Sequence, residues 1–101
     1  MVLGRYQSAF NDLNANSAKS VWPSVDERTL ARAFDSLERQ EVVFDACQIE
    51  VAGARATASC RGRAQYVPKV GSKAARLQPR HWTFRLSNGG TGWVIDSVES
   101  K

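Results

Sequence analysis

The sequence contains little cysteine, histidine and methionine: two, one and one of these residues among 101. A lone His with no Cys at zinc-ligand spacing completes neither a metal site nor a catalytic pair, so we predict no metal and no cofactor. No apolar run approaches the roughly 20 residues that cross a bilayer, and none follows the first Met as in a signal peptide. We therefore expect a soluble domain without membrane contact, either cytoplasmic or an extracytoplasmic part of a longer parent protein.

Acidic residues are scarce in the second half of the chain. The first 50 residues contain eight Asp/Glu and five Lys/Arg, and the rest of the chain contains two and nine. Clustered basic side chains can bind nucleic acid, because they displace counterions from phosphates. Arg61, Arg63, Arg85 and the loop from Lys69 to Arg76 would form such a surface. The simpler interpretation is favoured, that these residues cover the solvent face of a sheet, because no nucleic-acid-binding motif accompanies them.

The length and apolar content predict a single domain over residues 1–101. With 43% hydrophobic and 9% aromatic residues, the chain can build one core but is too short for two ordinary domains. Three helices are predicted before residue 40, because apolar residues recur there every three or four positions. Asn16 or Ser17 can cap the second helix and Asp26 the third, whereas Pro23 ends the second. The predicted helix ranges are 3–14, 16–22 and 26–38, and Leu37 belongs to the buried stripe of the third.

After residue 40 the apolar period changes from 3.6 to 2, which predicts antiparallel strands near 41–51, 54–67, 79–87 and 92–99. The fold class is therefore α+β, with three N-terminal helices packed on a curved four-stranded antiparallel sheet. In the first strand, alternation assigns these residues to the core face: Val43, Asp45, Cys47, Ile49 and Val51. In the second strand, it assigns a run of small residues to that face: Ala56, Ala58, Cys60, Gly62 and Ala64. Small residues favour either close helix packing or a cavity, and both interpretations stay open.

The two cysteines are predicted to face each other across the first hairpin. If Gly53 and Ala54 form the turn, the residue numbers of cross-strand partners have a constant sum, which places Cys47 opposite Cys60. The Cβ atoms of directly opposed residues lie about 4.5 to 5.5 Å apart, so the pair can form a slightly strained disulfide or remain as two thiols. Both side chains are expected to be buried, and reduced thiols there should react slowly.

The order of elements and four motifs resemble the nuclear transport factor 2-like superfamily, whose members have a cone-shaped fold. The motifs are Arg5-Tyr6-x-x-Ala9-Phe10-x-x-Leu13-Asn14, Val21-Trp22-Pro23-Ser24-Val25, Trp82-x-Phe84-x-Leu86 and Gly92-Trp93-x-Ile95. The chain resembles the small bacterial domains of this superfamily that occur alone or attached to serine/threonine kinases and other signalling modules. The resemblance implies a conical pocket between helices and sheet, and a homodimer formed through the sheet.

The residues that such a pocket would expose are aromatic, with one acid. The candidate pocket-lining residues are Tyr6, Phe10, Trp22, Asp45, Tyr66 and Trp82. Core packing alone also explains the aromatic residues. A buried carboxylate at Asp45 would be a functional-site candidate, but we favour a bulge or rim position that lets Asp45 reach water.

These observations rank three functions. The first is a non-catalytic module that binds a small, mostly apolar ligand or acts in sensing and dimerisation. The second is an isomerase, dehydratase or hydrolase with Asp45 as base and Tyr6 or Tyr66 as hydrogen-bond donor. The third is a nucleic-acid binder that uses the basic surface, which is the least favoured. For the first, if a cavity opens beside Ala58, Ala58→Leu should abolish ligand binding without unfolding the domain.

Overall fold

The computed structural model of the chain describes residues 2–71 and 74–101. Lys73, one of the basic residues of the loop after the second strand, lies outside the described residues. Three helices come first: α1 Val2–Asn11, α2 Ala15–Val21 and α3 Glu27–Asp35.

Side-chain caps start the second and third helices. The Asn14 side chain accepts a hydrogen bond from the Ser17 N–H (3.0 Å), so Asn14 caps α2 in place of the two residues predicted for this role. The Asp26 carboxylate accepts from the Thr29 N–H (3.1 Å), as predicted for α3. This hydrogen bond lowers the pKa of Asp26.

The third helix ends earlier than predicted, at Asp35. The Ser36 carbonyl accepts a hydrogen bond from the Lys69 N–H (3.0 Å), and Leu37 pairs with Pro68. Leu37 is therefore the first residue of a strand, and its assignment to the helical stripe was wrong. Pairing with a distant strand outweighs the local helical pattern here, because tertiary context overrides a weak propensity.

Four antiparallel strands follow: β1 Leu37–Ala52, β2 Arg55–Pro68, β3 Arg76–Asn88 and β4 Trp93–Ser100. Their order in the sheet is β1-β2-β3-β4, so each strand pairs with its neighbour in sequence. The predicted α+β fold, with three helices packed on a four-stranded antiparallel sheet, is confirmed. β1 and β3 begin several residues earlier than the apolar pattern indicated.

A β-bulge divides β1. The pairing with β2 passes from Phe44 directly to Ala46 and leaves Asp45 without a partner. Because one extra residue reverses the facing of the strand, Val42 (4% exposed) and Phe44 face the core before the bulge. The assignment of Val43 and Asp45 to the core face was therefore wrong.

Gly62 of β2 lies opposite this bulge and allows the backbone of β1 to come close to the backbone of β2. A Cβ atom at Gly62 would overlap with the carbonyl oxygen of Val43 and would lie 3.0 Å from the Cα atom of Phe44. Since both obstacles are backbone atoms, they cannot move aside as a flexible side chain could.

The core lies between the helices and one face of the sheet, which we call the core face. The Tyr6 ring stacks on Phe10 (4.2 Å between centroids) and meets the edge of Phe84 (5.0 Å). Two hydrogen bonds hold α1 against the edge strand β1: the Gln7 amide donates to the Val42 carbonyl (2.8 Å), and the Asn11 side chain accepts from the Val42 N–H (2.6 Å). These bonds satisfy backbone groups that an edge strand leaves unpaired.

Cys47 and Cys60 are directly paired in the register, as the hairpin arithmetic predicted. Their sulfur atoms are at bonding distance, 2.10 Å apart. Cys60 is fully buried, but Cys47 is exposed, so the expectation that both thiols are buried was wrong for Cys47. Residues 45–52 of β1 are all exposed, because this part of the edge strand extends beyond the cover of the helices.

Candidate functional site

A cleft of about 420 Å³ opens between the helices and the core face, at the end of the sheet where β2 finishes. Its walls come from α1, from the end of α3 and from all four strands. The lining residues that carry the argument are Tyr6, Phe10, Gln40, Ala64, Tyr66, Arg80 and Trp82.

Aromatic rings form the apolar part of the cleft. Tyr6 and Phe10 come from successive turns of α1, where the spacing of four residues puts them on one face. Phe34 of α3 meets Phe10 edge to face (5.1 Å), and Phe44 of β1 meets Trp82 of β3 in the same way (5.0 Å). The rings support one another from both layers, so the apolar wall is fixed by packing.

The Tyr6 hydroxyl is a polar group without a partner among the described residues. The residue is 4% exposed, and burial raises the pKa of Tyr6 well above its usual range. Every fully buried polar side-chain atom in the described part of the chain has a hydrogen-bond partner, so this hydroxyl retains some accessible surface. Tyr6 is one of the residues that line the cleft, and its hydroxyl stays protonated because burial raises the pKa of Tyr6.

Two further polar residues are held in place by hydrogen bonds. The Gln40 amide donates to the Phe10 carbonyl (3.0 Å), and an Arg80 Nη2–H donates to the Gln78 side-chain oxygen (2.8 Å). No carboxylate or imidazole side chain lines the cleft among the described residues. The site therefore provides hydrogen-bond donors and one cation, but not the acid–base pair that proton transfer commonly uses.

The structure brings together four of the six predicted pocket residues, namely Tyr6, Phe10, Tyr66 and Trp82. Trp22 instead packs against the core from the end of α2, with its ring centroid 6.4 Å from that of Tyr6. Asp45 does not line the cleft, because the bulge turns its side chain to the opposite face of the sheet, and the bulge position that was favoured for this residue is the one observed. There it is 54% exposed and lies 3.6 Å from the Arg63 guanidinium.

The small-residue face of β2 contributes only one end to the cleft. Ala64 lines it, whereas Ala58 is fully buried in the same core cluster as Phe84 and Ile95. Of the two interpretations that the small residues left open, close packing is therefore the correct one at Ala58, and the condition for the Ala58→Leu binding test is not met there.

Sequence reasoning missed Arg80 and Gln40. A signal for Arg80 existed, because residues two apart in a strand share a face, and Trp82 was already assigned to the core. For Gln40 the signal was weaker, since the predicted strand began after it.

Elsewhere, the described residues include no group of three or more Asp, Glu, His or Cys side chains that could hold a metal ion. No helix within residues 2–71 and 74–101 has the length and hydropathy to span a membrane.

The chain matches no model of a protein family and no curated protein. Its structure, in contrast, is similar to those of several solved proteins. A nuclear transport factor 2-like superfamily protein from Salmonella enterica serovar Typhimurium is 14% identical, with a TM-score of 0.87 over 99% of this chain and 84% of that one. A candidate dehydratase of the same family from Streptomyces avermitilis is also 14% identical, with a TM-score of 0.85 over 98% and 90%. A candidate aromatic ring hydroxylase from Novosphingobium aromaticivorans is 11% identical, with a TM-score of 0.81 over 99% and 82%.

These similarities extend over almost the whole chain, at sequence identities that establish the fold alone. They agree with the element order, the sheet topology and the cleft between helices and sheet. The chain is thus a domain with the nuclear transport factor 2-like fold.

Proposed function

We propose that the chain is a non-catalytic module that binds a small, mostly apolar ligand in the cleft. The observation that carries the proposal is a cleft whose apolar part is built from the rings of Tyr6, Phe10 and Trp82, beside the polar side chains of Gln40 and Arg80 that hydrogen bonds hold in place. Its volume of about 420 Å³ lies within the roughly 300 to 1,000 Å³ typical of ligand pockets.

The same lining favours binding over catalysis. An enzyme of the isomerase or dehydratase kind needs a base within reach of its substrate. Asp45 was the candidate base, and it lies on the other face of the sheet. The names of two structural neighbours, a candidate dehydratase and a candidate ring hydroxylase, keep the enzyme as the alternative, because this fold supports both kinds of function.

Homodimerisation through the face of the sheet opposite the helices is part of the proposal. This outer face has exposed polar residues on both central strands, among them Thr57, Arg61 and Arg85. The mass of the protein in solution tests this proposal, since a homodimer has twice the mass of one chain. Arg61 and Arg85 also belong to the surface of the nucleic-acid hypothesis. That hypothesis has less support, because Asp45 lies beside Arg63, a third residue of the same surface.

The binding proposal is tested with N-phenyl-1-naphthylamine, a neutral apolar probe whose fluorescence rises in an apolar site. Ala64→Leu places a larger side chain in the cleft, so we expect it to reduce probe affinity at least tenfold. The matched control is Ala46→Leu, which adds the same group on the exposed outer face and should leave affinity unchanged. Equal probe binding by both variants and the unmodified chain would overturn the proposal.

A further inference from the structure

Arg80 is the one charged side chain among the described residues that line the cleft, and it has no carboxylate partner there. Its recorded hydrogen bond goes to the neutral amide oxygen of Gln78 (2.8 Å). The guanidinium group has five N–H donors, so several remain available. A half-buried cation that is not neutralised by the protein attracts an anion from solution.

The surroundings of Arg80 are suited to the same kind of ligand. No acidic side chain of the described residues lines the cleft, so nothing in it opposes a negative charge. The Tyr6 hydroxyl is a second donor without a protein partner, and it stays protonated because burial raises the pKa of Tyr6. Acceptor atoms on a ligand in the cleft would give these donors partners.

The donors and the charge of the cleft together favour one type of anion. A guanidinium presents two parallel N–H bonds that match two oxygens of a carboxylate or of a phosphate. Because Arg80 is the one cation among the described lining residues, the singly charged carboxylate matches the charge of the site better than a doubly charged phosphate does. Gln78, paired with Ala64 across the β2–β3 ladder, holds the guanidinium by one Nη atom and limits its rotation. The apolar part of the cleft includes Phe10 and Trp82, and a flat or branched hydrocarbon body would pack against these rings.

Building on the proposed binding function, we infer that the ligand is a small amphipathic carboxylate: an apolar body against the aromatic wall and a carboxylate on Arg80. Gln78 acts as a positioning residue for Arg80.

The test uses a matched pair of probes, 2-naphthoate and its neutral amide 2-naphthamide, titrated into the chain by calorimetry or by amide chemical shifts. We expect the naphthoate to bind at least tenfold more tightly, because a hydrogen bond to a charged group is stronger than one between neutral groups. Arg80→Gln should reduce naphthoate affinity about tenfold and leave naphthamide affinity unchanged. Arg80→Lys keeps the positive charge but lacks the planar guanidinium, so it should lose less naphthoate affinity than Arg80→Gln.

The control variant is Arg85→Gln, which removes the same charge from the same strand but from its exposed outer face. We expect it to change neither affinity. Equal affinities for the two probes, or an equal effect of Arg80→Gln and Arg85→Gln, would overturn the carboxylate inference while leaving the binding proposal intact. The neutral naphthylamine probe separates the two: if it binds and naphthoate does not, the inference fails alone, and if neither binds, both fail. A thermal melt of each variant shows whether it is folded.

Discussion

The core face of β2 has small side chains at both of its ends, but the two ends have different surroundings. At the end near Arg55, Ala56 and Ala58 are buried together with Phe84 and Ile95 in a packed core. At the end near Pro68, Ala64 borders the open cleft, and the side chains of Arg80 and Tyr66 line this space without filling it. A row of alanines therefore does not predict a cavity by itself. What decides between packing and a cavity is the set of side chains that other elements bring to each end.

Gly62 lies between the two ends, and its substitution should have the largest effect. Gly62→Ala would push a methyl group against the Val43 carbonyl and the Phe44 backbone, so the bulge must shift or the strands separate. We expect a loss of about 3 kcal/mol in the free energy of unfolding, which is at the upper end of the costs typical of overpacked positions. Urea unfolding of the variant and the unmodified chain measures this difference.

Gly4→Ala is the control for that experiment. Gly4 lies in α1, and no neighbouring atom is within 4 Å of the position of its Cβ. Alanine should stabilise this helix by up to about 1 kcal/mol. Equal losses in the two variants would show that the close approach at Gly62 is not real.

The two ends of the β2 face can be compared directly by adding the same side chain to each. Ala58→Leu overpacks a filled core and should cost about 2 kcal/mol of stability. Ala64→Leu extends into the cleft and should cost less than about 1 kcal/mol, because space is already present. Urea unfolding of both variants, with the slopes compared, checks the prediction. If Ala64→Leu were the more damaging substitution, the assignment of the open and the packed end would be reversed.

Removing the Tyr6 hydroxyl should have the smallest effect at neutral pH. Since no described residue accepts or donates a hydrogen bond there, Tyr6→Phe should change stability by less than about 0.5 kcal/mol at pH 7. A loss above about 1.5 kcal/mol would show a hydrogen bond that the structure does not contain.

The same variant tests the burial of Tyr6 through pH. Burial raises the pKa of Tyr6, so as pH rises the phenol of the unfolded chain ionises before that of the folded chain. The stability that Tyr6 contributes in its neutral form is therefore complete below the unfolded pKa of about 10, and it is lost as pH rises above that value. Between pH 8 and 11, the free energy of unfolding should therefore fall more steeply with pH for the unmodified chain than for Tyr6→Phe. Parallel curves would contradict the buried position of this ring.

Much of the architecture could be predicted from the residues. The change of apolar period near residue 40 indicated the division into helices and strands, and the turn at Gly53 and Ala54 fixed the register that pairs Cys47 with Cys60. Both are local signals: a period is set by backbone geometry, and a two-residue turn determines every pairing that follows until a bulge occurs.

The candidate site was harder to predict, because it depends on contacts between distant parts of the chain. The aromatic residues Tyr6, Phe10 and Trp82 were identified because large apolar side chains in amphipathic elements must face the interior. For Asp45 the alternation pointed to the core face, but the favoured interpretation, a bulge that lets its side chain reach water, is what the structure contains. The alternation alone could not give the position of the bulge, which lies opposite Gly62.

The sequence by itself determined the type and order of the elements, the antiparallel pairing and the identity of most core residues, because periodicity and turn chemistry are properties of short segments. Only the tertiary structure decided which end of the small-residue face would be open, where the bulge would reverse the facing of β1, and that Arg80 would stand in the cleft without a carboxylate partner among the described residues. Each of these depends on side chains that come from separate helices and strands, and their relative positions are set when the two layers pack together.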